Sequence, residues 1–161
     1  MNYMDLRLCD ASNGDGWGVS LFVSGCTMHC KGCFNKESWD FCAGEEFEEH
    51  IQELILSQLE LDYISHLSIL GGDPLEKENV ETIAELCSKV KGFTNKPIWL
   101  WTGRKYDKAM SILKESGLEQ YIDYLVCEPF IEKLKCTNRY YGSSNQAVYK
   151  KENNKWIKTN L

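Results

Sequence analysis

The sequence predicts an α/β fold: a single domain, residues 1–161, with a mostly parallel sheet and crossover helices. Three observations carry this expectation. A chain of 161 residues fits one domain of common size, able to bury a hydrophobic core without disulfide staples. Short β-rich apolar runs alternate with amphipathic stretches of helical period through most of the chain. The strand-like runs feed loops marked by Gly or Pro, which is the pattern of a parallel sheet whose ligand loops lie at the carboxyl ends of the strands.

Taken in order, "GVSLFVSG" (Gly18 to Gly25) reads as a buried strand ending in Gly just before a cysteine-rich loop. "EEFEEHIQELILSQLE" places Phe47, Ile51, Leu54, Ile55 and Leu59 at helical spacing, with acids in the first turn where the helix dipole favours them. "HLSIL" (His66 to Leu70) is a second strand running into "GGDP", and "KENVETIAELCSKV" a second helix. "KPIWLWTG" (Lys96 to Gly103) is a third strand, "YDKAMSILKES" a third helix, and "DYLVCEPF" (Asp123 to Phe130) a fourth strand closed by Pro. "AVYKKENNKWIKT" has two strand-like runs around Asn153 and Asn154, a terminal hairpin. A closed barrel of eight strand–helix pairs takes about 250 residues, roughly 30 per pair, so this chain has room for about five. A parallel sheet of that size stays open on one side. An opening suits a protein loop as substrate, whereas enzymes of small molecules more often enclose them to keep water from the reacting centre.

Composition excludes several function classes. Apolar residues are 43% of the chain but never approach the ~20 consecutive positions a membrane span needs, and "MNYMDLRLCD" lacks the basic start and apolar stretch of a secretion signal. The expectation is a cytoplasmic protein with no membrane partner. Net charge is −6 and the lysines are scattered, so the basic stripe that binds a phosphate backbone is missing and nucleic acid is not expected as a partner.

The chemistry is concentrated in "SGCTMHCKGCFN", which places Cys26, Cys30 and Cys33 within eight positions. Three thiols are one too many for a disulfide and one too few for a closed zinc site. A [4Fe–4S] cluster that only carries electrons takes four protein thiolates, so three would leave one iron open for chemistry. Since this loop follows the first predicted strand and "GGDP" the second, both converge on one edge of the sheet. There Gly71 and Gly72 allow a tight turn and close backbone approach, and Asp73 offers a carboxylate to a cationic group. A Cys3His zinc site completed by His29, in a zinc-stabilised binding module, is a second reading of the same loop. Cys9, Cys42, Cys87, Cys127 and Cys136 have no comparable spacing and read as small core or surface residues. His50 and His66 read as structural, and Trp99 and Trp101 share one face of their strand, where core packing explains them as well as ligand contact does.

The Cys-x3-Cys-x2-Cys loop followed by Gly-Gly-acid-Pro resembles the radical S-adenosylmethionine enzymes. More narrowly, "SLFVSGCTMHCKGCFN", "LGGDPL", "WLWTG" and "GSSNQ" in that order resemble the anaerobic (class III) ribonucleoside-triphosphate reductase activating enzymes, from about Leu6 to about Gln146. The resemblance implies a truncated, open (β/α) barrel in which Cys26, Cys30 and Cys33 hold the cluster. S-adenosylmethionine would chelate the fourth iron, and an electron from the cluster would cleave it to a 5′-deoxyadenosyl radical. That radical would take a hydrogen from a glycine of a large partner enzyme, anaerobic ribonucleotide reductase, leaving a glycyl radical. Gly71, Gly72 and Asp73 match the motif that meets the methionine amino group, and Gly32, Cys33 and Phe34 the loop near the adenine; Thr102 is a further candidate for the same pocket. The resemblance also implies a low-potential electron donor such as flavodoxin or ferredoxin.

The chain departs from those enzymes at named positions. Where they read Asn-Gly-Pro-Gly-x-Arg it has "NGDGWG", with Asp15 for Pro and Gly18 for Arg. Their Asp-Gly after the last strand is here Cys127-Glu128, and the Arg residues flanking "GSSNQ" are Tyr141 and Ala147, with Arg139 as a partial substitute. These changes bear on which glycyl-radical enzyme is served, or whether a small radical enzyme acts on a metabolite instead, rather than on the cluster motif.

Overall fold

The computed structural model describes residues 1–161. Eight strands form one sheet: β1 (Asn2–Asp10), β2 (Gly18–Val23), β3 (Glu45–Glu46), β4 (His66–Gly71), β5 (Ile98–Trp101), β6 (Tyr124–Cys127), β7 (Ala147–Glu152) and β8 (Lys155–Lys158). Three helices accompany them: α1 (Glu49–Leu59), α2 (Lys77–Phe93) and α3 (Tyr106–Glu115). The strand order is β3-β1-β2-β4-β5-β6-β7-β8.

The α/β class is as expected, but the sheet is mixed rather than mostly parallel. Its centre, β2–β4–β5–β6, is parallel, while the pairs β1–β2, β1–β3, β6–β7 and β7–β8 are antiparallel. The reason lies in the connections, because a parallel neighbour requires a long crossover and an antiparallel one only a loop. Helices fill just three crossovers, so the chain has three strand–helix units where its length suggested room for about five. Antiparallel strands flank the parallel centre on both sides.

Strand β1 has no counterpart among the expected elements. Its signal was present in the alternation of half-buried Met4, Leu6 and Leu8 with exposed Asp5, Arg7 and Cys9, the pattern of an antiparallel strand with one solvated face. The helix expected from Glu45 starts at Glu49, because Glu45 and Glu46 pair with Asn2 and Tyr3 instead. Phe47 enters the core ahead of the helix, and Leu54 is turned to solvent, 39% exposed. The fourth strand ends at Cys127, since Glu128 has φ 87° and breaks the extended backbone.

Side chains alternate faces along each strand. One face carries Val19, Leu21, Val23, Leu67, Ile69, Ile98, Leu100 and Leu125 into a core with Ile55, Leu59, Ile83, Leu86, Val90 and Leu113 of the helices. The opposite face receives no helix. It carries Phe22, Leu70, Trp99 and Trp101, and on this face the loops after β2, β4, β5 and β6 meet. No helix is long and apolar enough to cross a membrane.

Candidate functional site

A cavity of about 600 Å³ opens on the helix-free face, within the range that holds cofactor-sized ligands. Cys26, Cys30, Cys33, Phe34, Gly71, Gly72 and Thr102 all line it, so the fold unites most of the residues singled out in the sequence. Gly32 and Asp73 do not line it. Gly32 sits beside Glu132, whose carboxylate occupies the space a Cβ would need, and Asp73 is fully buried behind the loop.

The cysteine loop is braced from two sides. Gly25 N–H donates to Ser38 O at 2.7 Å and Cys26 N–H to Trp39 O at 3.2 Å, so the 3-10 turn Lys36–Trp39 holds the start of the loop. Cys33 N–H donates to Cys30 O at 3.1 Å, closing a turn between those two cysteines, and Asn35 N–H donates to Cys33 Sγ at 3.4 Å. On the other side, Gly72 N–H donates to Val23 O at 2.7 Å and Asp73 N–H to Gly25 O at 2.8 Å. Both glycines are required there. Gly71 has φ 114°, and a Cβ on Gly72 would fall on the Gly25 carbonyl.

No group of three His, Cys, Asp or Glu side chains stands close enough to close on a single ion. A zinc ion would need its sulfurs about 2.3 Å from one centre, whereas a four-iron cluster is reached at separate corners by thiols set farther apart. Three thiols of one loop lining one cavity are the donor set that fits a four-iron cluster with one iron left open. His29, the fourth ligand of the zinc reading, stacks on Trp39 with ring centroids 4.3 Å apart and does not line the cavity. Burial pushes the Cys26 thiol up to about 11, helped by Asp73 and Glu76 and opposed by the Met28 and His29 N–H groups, so metal binding must displace its proton. Cys87 and Cys127 are buried in the core and Cys9 and Cys42 are exposed, as small structural or surface residues should be. Cys136 is the exception, because it lines the cavity.

Asp73 is held from four directions. The Thr102 hydroxyl lies 2.9 Å from both carboxylate oxygens, Leu75 N–H donates at 2.9 Å, Gly103 N–H at 3.3 Å, and Arg104 Nε stands 3.8 Å away. Burial pushes this carboxyl up, while the Leu75 N–H, Arg104 and Thr102 oppose the shift. The carboxylate thus ties β4 to β5 and leaves the Gly71–Gly72 backbone facing the cavity.

The far wall was not legible in the sequence. It is the segment Phe130–Gly142, which carries Lys135, Cys136, Arg139, Tyr140 and Tyr141 over the parallel strands. Phe34, 67% exposed, packs on Phe130 at 5.2 Å between centroids, and Lys135 Nζ lies 4.8 Å from its ring centre. Trp101 Nε1–H donates to Tyr140 O at 2.6 Å, and Trp99 stacks beneath on Tyr124 at 3.9 Å. "GSSNQ" fastens this segment: Gln146 accepts from Gly142 and Ser143 N–H and donates to Glu128 O, while Asn145 donates to Pro129 O.

The sequence departures acquire physical reasons. Gly18 leaves room for His66, whose ring fills the space a Cβ would take. Asp15 accepts the Tyr140 hydroxyl at 2.6 Å, joining the β1–β2 loop to the far wall. Glu128 keeps a left-handed φ and uses its carboxylate to cap Tyr106 N–H at 3.0 Å at the start of α3.

The model of the 4Fe-4S single cluster domain family matches residues 12–149. The anaerobic ribonucleoside-triphosphate reductase-activating protein of Enterobacteria phage T4 is 36% identical over 157 residues, covering 97% of this chain and 98% of its own. The protein of the same name from Haemophilus influenzae is 38% identical over 154 residues, 93% of this chain and 98% of its own, and that of Escherichia coli K12 is 35% identical over 153, 92% and 98%. Three thiols of one loop and the Gly-Gly turn meet at one cavity, and the match to these relatives runs nearly end to end: the chain belongs to the family of anaerobic ribonucleoside-triphosphate reductase-activating proteins.

Proposed function

We propose that this protein is the radical-generating activase of an anaerobic ribonucleoside-triphosphate reductase, an oxidoreductase acting on a glycine of that large partner. We place residues 1–161 in a single radical S-adenosylmethionine domain, a truncated and open barrel whose parallel strands β2, β4, β5 and β6 back the cavity. Cys26, Cys30 and Cys33 hold a [4Fe–4S] cluster. The Gly71–Gly72 backbone, held by Asp73 behind it, and Thr102 border the place for the methionine end of S-adenosylmethionine, and Cys33 and Phe34, on the turn at Gly32, border the adenine. When bound, cluster and S-adenosylmethionine supply a 5′-deoxyadenosyl radical that takes the glycine hydrogen. This chain's own residues hold and orient: the Asn35 N–H donates to the Cys33 sulfur, and Asp73 with Thr102 fixes the spacing of β4 and β5. The open face admits a protein loop past Phe34, Lys135 and Tyr141. A flavodoxin or ferredoxin supplies the electron in a reducing cytoplasm, where thiols persist.

The observation that carries this reading is the convergence of three thiols and the Gly-Gly backbone on one cavity, in a chain whose relatives are named for reductase activation. The test is electron paramagnetic resonance on anaerobic, iron-reconstituted protein, reduced and mixed with S-adenosylmethionine and the reductase subunit. A glycyl-radical doublet that needs every component is expected. Cofactor cleavage without that doublet points to another substrate, and zinc without iron overturns the reading.

A further inference from the structure

Glu76 and Arg104 belong to none of the motifs read from the sequence, yet they form a largely buried ion pair directly behind the cysteine loop. The Glu76 side chain is 6% exposed and that of Arg104 17%. Glu76 Oε1 accepts both the backbone N–H of Thr27, at 2.8 Å, and its hydroxyl, at 2.7 Å; Thr27 is the residue after Cys26. Glu76 Oε2 pairs with Arg104 Nη2 at 3.0 Å. Arg104 is itself fixed by its backbone, which donates to Thr102 Oγ1 at 3.2 Å and accepts from Glu128 N–H at 2.9 Å. Its Nε, 3.8 Å from Asp73 Oδ2, has no hydrogen-bond partner, so it gives Asp73 charge rather than a bond.

One guanidinium therefore serves two carboxyl groups, one of which grips the cysteine loop. A buried ion pair seldom adds net stability, because desolvating both ions offsets their attraction. A single buried cation placed between two acids behind the loop points to a role in the field there. Potentials of iron–sulfur clusters respond to net charge and hydrogen bonding around them.

We propose that Glu76 and Arg104 are positioning residues that hold the Cys26 end of the loop and set the reduction potential of the cluster bound there, Arg104 raising it and Glu76 lowering it. The proposal rests on the cluster reading above. It is tested by potentiometric titration of reconstituted full-length protein at pH 8, followed by electron paramagnetic resonance, with iron counted per chain. R104Q should move the midpoint to more negative potential and E76Q to more positive, both at wild-type iron content, while R104K, which keeps the charge, should stay near wild type. E76Q preserves an acceptor for Thr27 and the side-chain shape, so it carries the test if R104Q fails to fold. Midpoints that coincide in wild type, R104Q and E76Q at full iron content would overturn the proposal and leave the cluster reading standing. Absence of iron from the wild type would overturn both.

Discussion

Gly72→Ala adds one carbon where two loops touch, and its consequence can be worked from the packing. The new Cβ would fall on the Gly25 carbonyl oxygen and lie 2.9 Å from its carbon and 3.0 Å from Gly25 N, all backbone atoms that no rotamer change can move aside. Overpacking of this kind costs about 1–3 kcal/mol. Separating the loops also weakens the 2.8 Å hydrogen bond from Asp73 N–H to Gly25 O, worth about 1 kcal/mol. A total of about 3 kcal/mol corresponds, at ~2–4 °C per kcal/mol for a chain of this size, to a melting temperature lower by about 6–12 °C. Gly92→Ala is the matched control. Gly92 lies inside α2 with nothing within 4 Å of its would-be Cβ, so the same added carbon should stabilise by up to about 1 kcal/mol. The assay is thermal unfolding by circular dichroism, then S-adenosylmethionine affinity by anaerobic equilibrium dialysis of the reconstituted proteins. Loss of one ligand hydrogen bond through loop displacement, about 1.4 kcal/mol, would weaken binding about tenfold in Gly72→Ala only. Equal melting temperatures for the two variants, or a Gly72→Ala protein of unchanged affinity, would refute the claim that close backbone approach shapes this site.

Cys30→Ala removes one of the three cavity thiols of the Cys26–Cys33 loop, and should abolish the visible absorbance of the reconstituted cluster; full iron content would sink the ligand assignment. Glu128→Ala keeps the φ of 87° but loses the cap on Tyr106, and should destabilise by about 1 kcal/mol, whereas Glu128→Gly trades the same cap for relief of strain and should melt above Ala; the reverse order in urea titrations would count against it. Burial holds His66 below the ordinary histidine value, against the opposing Asn13 carbonyl, so the unfolded chain protonates first and stability should fall as pH drops through about 6.5. His66→Gln should flatten that slope between pH 7 and 5, and an unchanged slope would assign the pH dependence elsewhere.

What the sequence determined by itself is what local pattern encodes. The periodicities of β2, β4, β5 and β6 and of the three helices, the Asn153–Asn154 hairpin, and the spacing of Cys26, Cys30 and Cys33 all depend on neighbours a few residues apart. The position of the Gly-Gly turn after a strand also follows from local order, and with parallel crossovers it had to reach the same sheet edge as the cysteines. Tertiary structure decided the rest. Glu45 and Glu46 leave their helical pattern because an unpaired β1 edge offers them hydrogen bonds 40-odd residues upstream. The outer strands are antiparallel because no helix remains to carry a parallel crossover. Asp73 turns away from the cavity because Thr102 and Arg104, some 30 positions later, give a buried carboxylate better partners than open space does. The far wall is seated where Tyr140 meets Trp101 and Asp15, across 39 and 125 residues. Contacts of that span leave no periodic trace in the chain, since each partner is chosen by where the backbone brings it and not by its sequence neighbours.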